Sequence, residues 1–328
     1  MERACTIEGL GFHVPARIVT NAELETMVDT NDEWIVSRTG IRQRHVAGPG
    51  ETCSELALEA TRKALKNAGL VPEDLTHIIL ATFTPDAYIP SAACVLENKL
   101  GLKNLPAFDL YAACSGFLYA LEAARAFCAL HAEARILVVA SEVVTSRTDF
   151  TDRSTCVLFG DGAGAAVVTN RAERGIRIRD VMLDADGSLG DLLTVRGGGS
   201  GWPPVMGQPV GRDYFVEMQG REVFRHAVRC MQALSEKILV RNGLNNDDID
   251  LFIPHQANER IIHSLAKKLD FPEDRIMINV DRYGNCSAAS IPIALAEAME
   301  FGRFRDGDRL LLTSFGGGFT WASAILEA

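Results

Sequence analysis

The sequence repeats part of itself, and this internal duplication constrains the fold more than any other feature. The segment NAGLVPEDLTHIIL (Asn67–Leu80) resembles RNGLNNDDIDLFIP (Arg241–Pro254) at an offset of 241 − 67 = 174. ARILVVAS and DRLLLTSF, aligned through Arg135 and Arg309, have the same offset, since 309 − 135 = 174. Matched segments at one offset predict two similar halves, and a repeat this long indicates a doubled domain rather than a solenoid.

A third pair of segments lies between those two pairs. DLYAACSGF (Asp109–Phe117) resembles DRYGNCSAA (Asp281–Ala289) at an offset of 281 − 109 = 172, which makes Cys286 the formal counterpart of Cys114. If the halves pack about a pseudo-twofold axis, both segments approach that axis. We therefore expect residues of the two segments to meet.

Both halves have the pattern of an α/β protein. The apolar runs HIILATF, ARILVVASE and LLLTSF are separated by stretches with helical spacing, which predicts central strands covered on both faces. Thr52 with Glu55 predicts a capping box, and Gly69 predicts the C-cap of that helix. We place the halves at residues 1–171, with the reactive cysteine, and 172–328, with a histidine and an asparagine described below.

Composition excludes several classes of protein. Hydrophobic residues are 47% and charged residues 23% of the 328, so a packed core is expected, and the net charge of −10 argues against a surface that seeks nucleic acid or anionic membrane. We find no secretory signal at the start and no apolar run approaching the roughly 18 residues that span a bilayer. The eight cysteines are scattered without a CxxC pair, which is typical of reduced thiols in a cytosolic protein rather than a zinc site.

Cys114 is the first candidate for chemistry. The apolar run up to Leu110 predicts a strand, and Phe117, Leu121 and Ala124 recur as one face of a helix, so Cys114 lies at the positive end of that helix. The helix dipole favours an anion by about 0.3–1 kcal/mol, up to about 2, which brings a thiol pKa from about 8.5 towards about 7. We expect a partly ionised nucleophile; the alternative is a small buried apolar residue.

His255 and Asn285 are candidates to assist the thiol. His255 ends the buried run DIDLFIP, and functional sites in α/β sheets gather at the carboxyl ends of strands. Asn285 lies in the segment that pairs with that of Cys114. Each also has a simpler explanation, since a histidine can satisfy a helix start and Gly-Asn is ordinary turn chemistry.

Two further segments carry functional signals. The glycines of GGGFTW (Gly316–Trp321) allow close backbone approach and offer N–H groups to an oxyanion. The helix predicted after His255 places Arg260, Lys267 and Lys268 on one face, which either docks an acidic partner or is merely solvated.

The chain resembles the β-ketoacyl-acyl-carrier-protein synthase III family of the thiolase superfamily over essentially its whole length. The resemblance is carried by NDEWIVSRTGIRQRH, DLYAACSGF, FGDGAGA, PHQANERI, YGNCSAASIPIAL and FGGGFTW, in that order. It implies a five-layer αβαβα fold of duplicated halves, usually as a homodimer. It also implies the decarboxylating condensation that initiates fatty-acid synthesis, with acyl-CoA and malonyl-acyl carrier protein as substrates, in the cytoplasm and without a metal or redox cofactor.

The resemblance also assigns residues. Cys114 matches the nucleophile, His255 and Asn285 match its partners, and the backbone N–H groups of Cys114 and Gly317 match the oxyanion hole. Coenzyme A binding is implied for Trp34, Arg38, Thr39, Arg153 and Asn258, the acyl pocket for Phe315 and for Ile89 of the partner subunit, and carrier-protein docking for Arg260, Lys267 and Lys268. The family usually has Thr at Cys286 and often Phe at Ile89, so the starter group is left open.

Other functions fit parts of the pattern. A papain-like cysteine hydrolase shares the chain order Cys, His, Asn, with a tolerable spacing of 255 − 114 = 141 from Cys114 to His255, but it lacks the C-G-S/A-C-W/Y context and leaves the duplication unexplained. A non-catalytic scaffold is a third class. Within the superfamily, polyketide synthases and 3-hydroxy-3-methylglutaryl-CoA synthases are alternatives, although the catalytic Glu that the latter need is not identified.

Overall fold

The computed structural model describes residues 5–172 and 174–328. In these residues the strands are β1 (Cys5–His13), β2 (Ile18–Thr20), β3 (Gln43–His45), β4 (His77–Ala81), β5 (Ala107–Leu110), β6 (Arg135–Glu142), β7 (Gly162–Thr169), β8 (Ile176–Ala185), β9 (Leu193–Thr194), β10 (Glu217–Met218), β11 (Leu251–Pro254), β12 (Arg309–Gly316) and β13 (Thr320–Glu327). The helices are α1 (Asn21–Leu24), α2 (Asp32–Thr39), α3 (Cys53–Ala68), α4 (Ala92–Lys99), α5 (Gly116–Leu130), α6 (Gly220–Arg241), α7 (Glu259–Lys268), α8 (Val280–Tyr283) and α9 (Ser290–Glu300).

The strand order shows the duplication directly. The main sheet runs β11-β12-β13-β8-β1-β7-β6-β4-β5. Outward from the central β8–β1 pair, β13, β12 and β11 on one side correspond to β7, β6 and β4 on the other. The central pair is antiparallel and extends only from Cys5↔Ile178 to Ile7↔Ile176. Two copies of one unit about a twofold axis between β1 and β8 produce this order.

The helices and strands stack in five layers. α5 and α9 lie in the middle, where side chains such as Phe117 and Leu295 share one core with both halves of the sheet. α3 and α4 cover the outer face of the first half through Leu56 and Leu96. α6 and α7 cover the second half. This is the predicted thiolase-like αβαβα arrangement.

The structure corrects the register of the duplication. β6 and β12 keep an offset of 174 at both ends, and so do the 3-10 turns Ala113–Ser115 and Ser287–Ala289 that precede α5 and α9. The structural counterpart of Cys114 is therefore Ala288. The pairing with Cys286 at an offset of 172 is wrong, because identical letters are not at equivalent positions of the two turns. The predicted boundary between 171 and 172 stays a prediction; Glu173 beside it and residues 1–4 lie outside the described residues.

Two local expectations about α3 have different outcomes. Gly69 ends the helix with a φ of 68°, as predicted. Thr52 precedes the helix but makes no side-chain capping bond; its hydroxyl instead donates to Asp86 Oδ2 at 3.0 Å. The capping box is wrong because the Asp86 carboxylate competes for the hydroxyl.

One described segment, the 18 residues Ala113–Leu130, is long and apolar enough to cross a membrane. The expectation that no run reaches this length is wrong. The segment consists of the 3-10 turn and α5, and its Phe117 and Leu121 are fully buried in the central layer of the fold. Packing between the two halves of the sheet therefore accounts for its apolar character.

Candidate active site

A cavity of about 1010 Å³ opens at the carboxyl ends of the strands of both halves. Its walls include Cys114, His255 and Asn285, the three side chains that the sequence nominated separately. Gly317, the expected second oxyanion donor, also lines it. The cavity is where the two halves meet, because Cys114 follows β5 of the first half and the other three follow elements of the second.

The turn that carries Cys114 is held by the second half. A Cβ added to Gly316 would lie 2.6 Å from the backbone nitrogen of Cys114, so only glycine fits there. Thr320 Oγ1 donates to the carbonyl of Ala112 at 2.8 Å, and Ser115 Oγ donates to the carbonyl of Thr320 at 3.0 Å. The position of Cys114 is thus fixed by β12 and β13.

Burial dominates the electrostatics of Cys114. It raises the pKa of the thiol to about 12, against a smaller opposing effect of the Ser287 hydroxyl. The expectation of a thiol pKa near 7 is wrong, because a helix dipole is worth at most about 2 kcal/mol, or roughly 1.5 pKa units. With its pKa raised in this way, the thiol is protonated near neutral pH, and an attack by its sulfur would require a group that takes the proton.

His255 stands directly after β11 and continues the strand pairing, since its N–H donates to the carbonyl of Thr313 at 2.8 Å. Burial lowers the pKa of the imidazole to about 4, so the ring is neutral at physiological pH. Among the described residues, no group hydrogen-bonds to the buried Nδ1. A proton on Nε2 makes that atom the donor available to a ligand in the cavity.

Gln256 fixes the backbone around His255. Its Nε2 donates to the carbonyls of Pro254 and Met277, at 2.8 and 3.0 Å. Its Oε1 accepts from the N–H of Asn279 at 2.9 Å. A buried side chain with its donors and acceptors satisfied rigidifies the turn between β11 and α7.

Asn285 is held by hydrogen bonds of its backbone and of its side-chain oxygen. Its N–H donates to the carbonyl of Leu158 at 2.8 Å, and its carbonyl accepts from the N–H of Gly160 at 3.1 Å. The side-chain Oδ1 accepts from the N–H of Ser287 at 2.9 Å. The amide group Nδ2–H₂ is therefore the part of the side chain left to donate into the cavity.

Arg44, which the sequence did not single out, supports the loop that pairs with Asn285. The side chain is buried, and its Nη2 donates to the carbonyl of Val157 at 2.7 Å. Gly160 and Gly284 both pack on its Cβ; added Cβ atoms would lie 3.1 and 3.2 Å away. Burial lowers the pKa of its guanidinium to about 10.

The sequence did not identify Ser287 and Glu142 as functional residues either. The Ser287 hydroxyl donates to Glu142 Oε1 at 3.0 Å, and Ser287 lines the cavity. Glu142 is fully buried at the end of β6, and burial raises its pKa to about 7. One sequence signal pointed to Glu142: it ends the apolar run ARILVVASE and lies at the repeat offset from Gly316, since 316 − 142 = 174.

The residues expected to hold coenzyme A gather at one side of the cavity. Trp34, Arg38, Thr39 and Asn258 line it. Arg153 is outside the lining, but its guanidinium lies 5.4 Å from the centre of the Trp34 ring, and that of Arg38 lies 5.9 Å away. Both guanidinium groups thus lie near the indole of Trp34, and that of Arg153 also donates to the carbonyl of Asp29 at 2.9 Å.

The two residues expected at the acyl pocket are in different places. Phe315 lines the cavity, whereas Ile89 is 89% exposed and lies outside the lining of its own chain. Apolar side chains that the sequence did not single out cover the wall near Cys114: Phe83, Tyr111, Phe159, Leu193, Val195 and Val216.

The basic face of α7 lies beside the opening. Arg260 lines the cavity, and Lys267 and Lys268 are exposed in the last turn of the same helix. Arg221, at the start of α6, also lines the cavity. Cys286 packs away from it, with Sγ 3.4 Å from the carbonyl of Tyr283.

Comparisons with known proteins agree with this geometry. The family described as 3-oxoacyl-[acyl-carrier-protein (ACP)] synthase III matches residues 108–187, and its C-terminal part matches residues 239–328. The β-ketoacyl-[acyl-carrier-protein] synthase III of Oleidesulfovibrio alaskensis is 53% identical over 98% of both chains.

Solved structures extend the similarity to the fold. The 3-oxoacyl-[acyl-carrier-protein] synthase III of Aquifex aeolicus superposes with a TM-score of 0.90 and 44% identity, covering 99% of this chain and 100% of that one. The priming β-ketosynthase of the R1128 polyketide pathway has a TM-score of 0.92 and 36% identity, covering 99% and 96%. The chain therefore belongs to the β-ketoacyl-[acyl-carrier-protein] synthase III family of acyltransferases, which carry out the initiating condensation of fatty-acid synthesis.

Proposed function

We propose that this enzyme transfers an acyl group from coenzyme A to Cys114 and then condenses it with malonyl-acyl carrier protein, giving 3-oxoacyl-acyl carrier protein, CO₂ and free coenzyme A. The observation that carries the proposal is the single cavity shared by Cys114, His255 and Asn285. The mechanism needs no metal or redox cofactor, because every step is an acyl transfer or a decarboxylation.

In the first half of the reaction, the sulfur of Cys114 attacks the thioester carbonyl. The oxygen of the tetrahedral intermediate is held by the backbone N–H groups of Cys114 and Gly317. The contact between Gly316 and the Cys114 backbone supports this role, since it brings the glycine segment against the nucleophile. Collapse of the intermediate releases coenzyme A and leaves the acyl group on Cys114.

In the second half, the malonyl thioester loses CO₂, and its carbonyl oxygen becomes an enolate. Two hydrogen-bond donors meet that oxygen: Nε2–H of a neutral His255 and Nδ2–H of Asn285. The low pKa of His255 suits this role, because a neutral imidazole donates a hydrogen bond without giving up the proton. The enolate carbon then attacks the acyl-Cys114 carbonyl and forms the product.

The rim of the cavity fits the two carriers. Trp34 with Arg38 and Arg153 offers a stacking surface and positive charge for the nucleotide and phosphates of coenzyme A. Arg260, Lys267 and Lys268 offer a basic face to an acidic carrier protein. Thr39 and Asn258 complete the coenzyme A site in this proposal.

We also propose that the enzyme is a homodimer. β5 is an edge strand, and next to it Tyr88, Ile89 and Tyr111 expose 73%, 89% and 73% of their surface. Pairing of β5 with a second copy covers these side chains and places the partner's Ile89 in the acyl pocket, beside Phe315. All eight cysteines are free thiols, which supports a cytoplasmic location.

The hydrolase alternative finds no support, since relatives that match the whole chain are condensing enzymes. The polyketide alternative is a second candidate, because the priming β-ketosynthase of the R1128 polyketide pathway is 36% identical to this chain.

Release of CO₂ from malonyl-acyl carrier protein tests the assignment of the second half. We expect His255→Ala and Asn285→Ala each to lower the rate about 100-fold or more, because each removes one enolate donor. Both variants still acylate Cys114. His131→Ala, which changes an exposed histidine at the end of α5, is the control with wild-type rates. Decarboxylation at the wild-type rate in either active-site variant would show that the enolate is stabilised elsewhere.

A further inference from the structure

Ser287 connects the cavity that contains Cys114 to a buried carboxyl group that the mechanism above does not use. Ser287 and Cys114 line the same cavity, and the Ser287 hydroxyl acts to lower the pKa of the Cys114 thiol. The same hydroxyl donates to Glu142 Oε1 at 3.0 Å. The lone pairs of Ser287 Oγ are then available to accept a proton from the thiol. Ser287 can therefore accept a proton from Cys114 and donate its own to Glu142.

Glu142 sits in a pocket built for a carboxylate. Its Oε2 accepts hydrogen bonds from Thr84 Oγ1 at 2.7 Å, from Thr82 Oγ1 at 3.0 Å and from the N–H of Phe83 at 3.1 Å. With Ser287 on Oε1, four donors converge on a side chain that is completely buried. These four donors are all uncharged, so they can hold the carboxyl group without keeping it permanently ionised.

The duplication shows that this carboxyl is an asymmetric addition to the site. Glu142 and Gly316 end the equivalent strands β6 and β12 and so occupy equivalent positions of the two halves. Gly316 must lack a side chain because the Cys114 backbone lies against it. Across the pseudo-twofold axis the same position carries Glu142, which faces Ser287. The position that is glycine beside Cys114 in the second half is therefore an acid in the first half.

Glu142 is also a better proton acceptor than the histidine. Burial lowers the pKa of His255 to about 4 and raises that of Glu142 to about 7. The titratable groups near Glu142 are Cys53, Tyr111, Cys114 and Cys286. Burial raises the pKa of the three thiols, and the pKa of Tyr111 is raised as well. Of this group only Glu142 changes its protonation near neutral pH.

We propose that Glu142, acting through Ser287, takes up the proton of Cys114 during acylation and stores it until the thiol is released. As the sulfur attacks the acyl-CoA, the thiol proton moves to Ser287 Oγ and the hydroxyl proton of Ser287 moves to Glu142 Oε1. The proposal rests on the proposed function.

The protons balance over the whole cycle. Coenzyme A leaves as a thiolate and takes a proton from water, which is the one proton that the net reaction consumes. When the enolate displaces Cys114, the stored proton returns through Ser287 to the thiolate. In the acyl-enzyme Glu142 is neutral, so no buried negative charge on this side chain repels the malonyl carboxylate as it enters.

Three variants separate this role from a structural one. Glu142→Gln keeps an oxygen for the three donors on Oε2 and an amide group facing Ser287. Ser287→Ala is compatible with the backbone, because Ala113 occupies the equivalent position with a φ of 44°, against 49° for Ser287. Ser141→Ala is the control: its hydroxyl donates to the carbonyl of Cys53 at 2.7 Å from the same strand, away from the thiol.

The measurement is the rate of Cys114 acylation by acetyl-CoA between pH 5 and 9, followed by intact-protein mass spectrometry. In the wild type and in Ser141→Ala the rate rises with pH through the pKa of Glu142, since only the ionised carboxylate accepts a proton. In Glu142→Gln and Ser287→Ala the acylation rate is about 100-fold lower and no longer rises with pH. If Glu142 acted only through its negative charge, Glu142→Gln would have the opposite effect, because removing that charge lowers the thiol pKa and speeds acylation.

Infrared difference spectra of the acylated minus the free enzyme give a second test. The carbonyl band of a protonated carboxylic acid appears in the wild type on acylation and is absent in Glu142→Gln. A missing wild-type band, or Glu142→Gln acylating at the wild-type rate or faster, overturns the relay. Cys114→Ala distinguishes the two proposals, because acylation of that variant refutes the proposed function itself, whereas failure of the relay leaves Cys114 as the nucleophile.

Discussion

At the scale of single residues, the site is built around two backbone positions that side chains seldom adopt. Ala113 and Ser287 have φ values of 44° and 49° and directly precede Cys114 and its counterpart Ala288. Such strain persists only where the surroundings over-determine it, and it clusters at active sites. Here the surroundings are the strand end at Gly316 on one side and that at Glu142 on the other.

Gly316→Ala tests how closely the nucleophile depends on this contact. The new Cβ would lie 2.6 Å from the Cys114 nitrogen, so the turn must shift, and a shift of about 1 Å costs roughly 100-fold in rate. We expect acylation by acyl-CoA to fall by that factor. Gly187→Ala is the control, since nothing lies within 4 Å of its Cβ. Equal acylation rates in the two variants would mean that Gly316 does not position Cys114.

At the scale of secondary-structure elements, the sequence was most informative where apolar runs are long. It predicted β4, β6, β12 and the helix after Cys114, because continuous burial leaves a clear pattern. It misaligned the third repeat, since Asp109–Phe117 and Asp281–Ala289 share letters at an offset of 172. β5 in the first half corresponds to the short helix α8 in the second, so the letters match where the backbones differ.

The basic face of α7 yields a prediction about the carrier protein. Lys267→Glu places a negative charge on the face proposed to dock the acidic carrier protein. We expect the KM for malonyl-acyl carrier protein to rise about fivefold at low salt, as about 1 kcal/mol implies. Acylation by acyl-CoA is unchanged. Lys66→Glu makes the same charge change on α3, in the outer layer of the first half, and serves as the control. A KM that is unaffected, or raised equally by both, contradicts docking on α7.

At the scale of the whole molecule, the duplication allowed the fold and the meeting of the three key side chains to be predicted. Cys114, His255 and Asn285 converge because β5, β11 and α8, the elements that precede them, end at one cavity between the halves. Arg44, Glu142 and Ser287 were not predicted. Their importance comes from contacts between residues far apart in the chain, such as Arg44 with Val157, and isolated letters do not reveal such pairs.

The exposed edge of β5 predicts the oligomeric state. Ile89→Asp introduces a charge into the proposed interface of apolar side chains beside the edge strand β5. We therefore expect the wild type to be a dimer and this variant to be a monomer at micromolar concentration. Light scattering coupled to size-exclusion chromatography measures the mass. Leu130→Asp, at an exposed position in the last turn of α5, keeps the wild-type mass. A wild-type monomer, or a dimer that persists in Ile89→Asp, contradicts the proposed interface.

The central claim is that one thiol, that of Cys114, carries the acyl group in a cavity shared by both halves. Intact-protein and peptide mass spectrometry after incubation with acetyl-CoA tests it most directly. We predict a single acetyl group on the peptide that contains Cys114, and none in Cys114→Ala. An acetyl group on any other residue, or an unmodified wild-type protein after exposure to acetyl-, branched- and longer-chain acyl-CoA, would contradict the account.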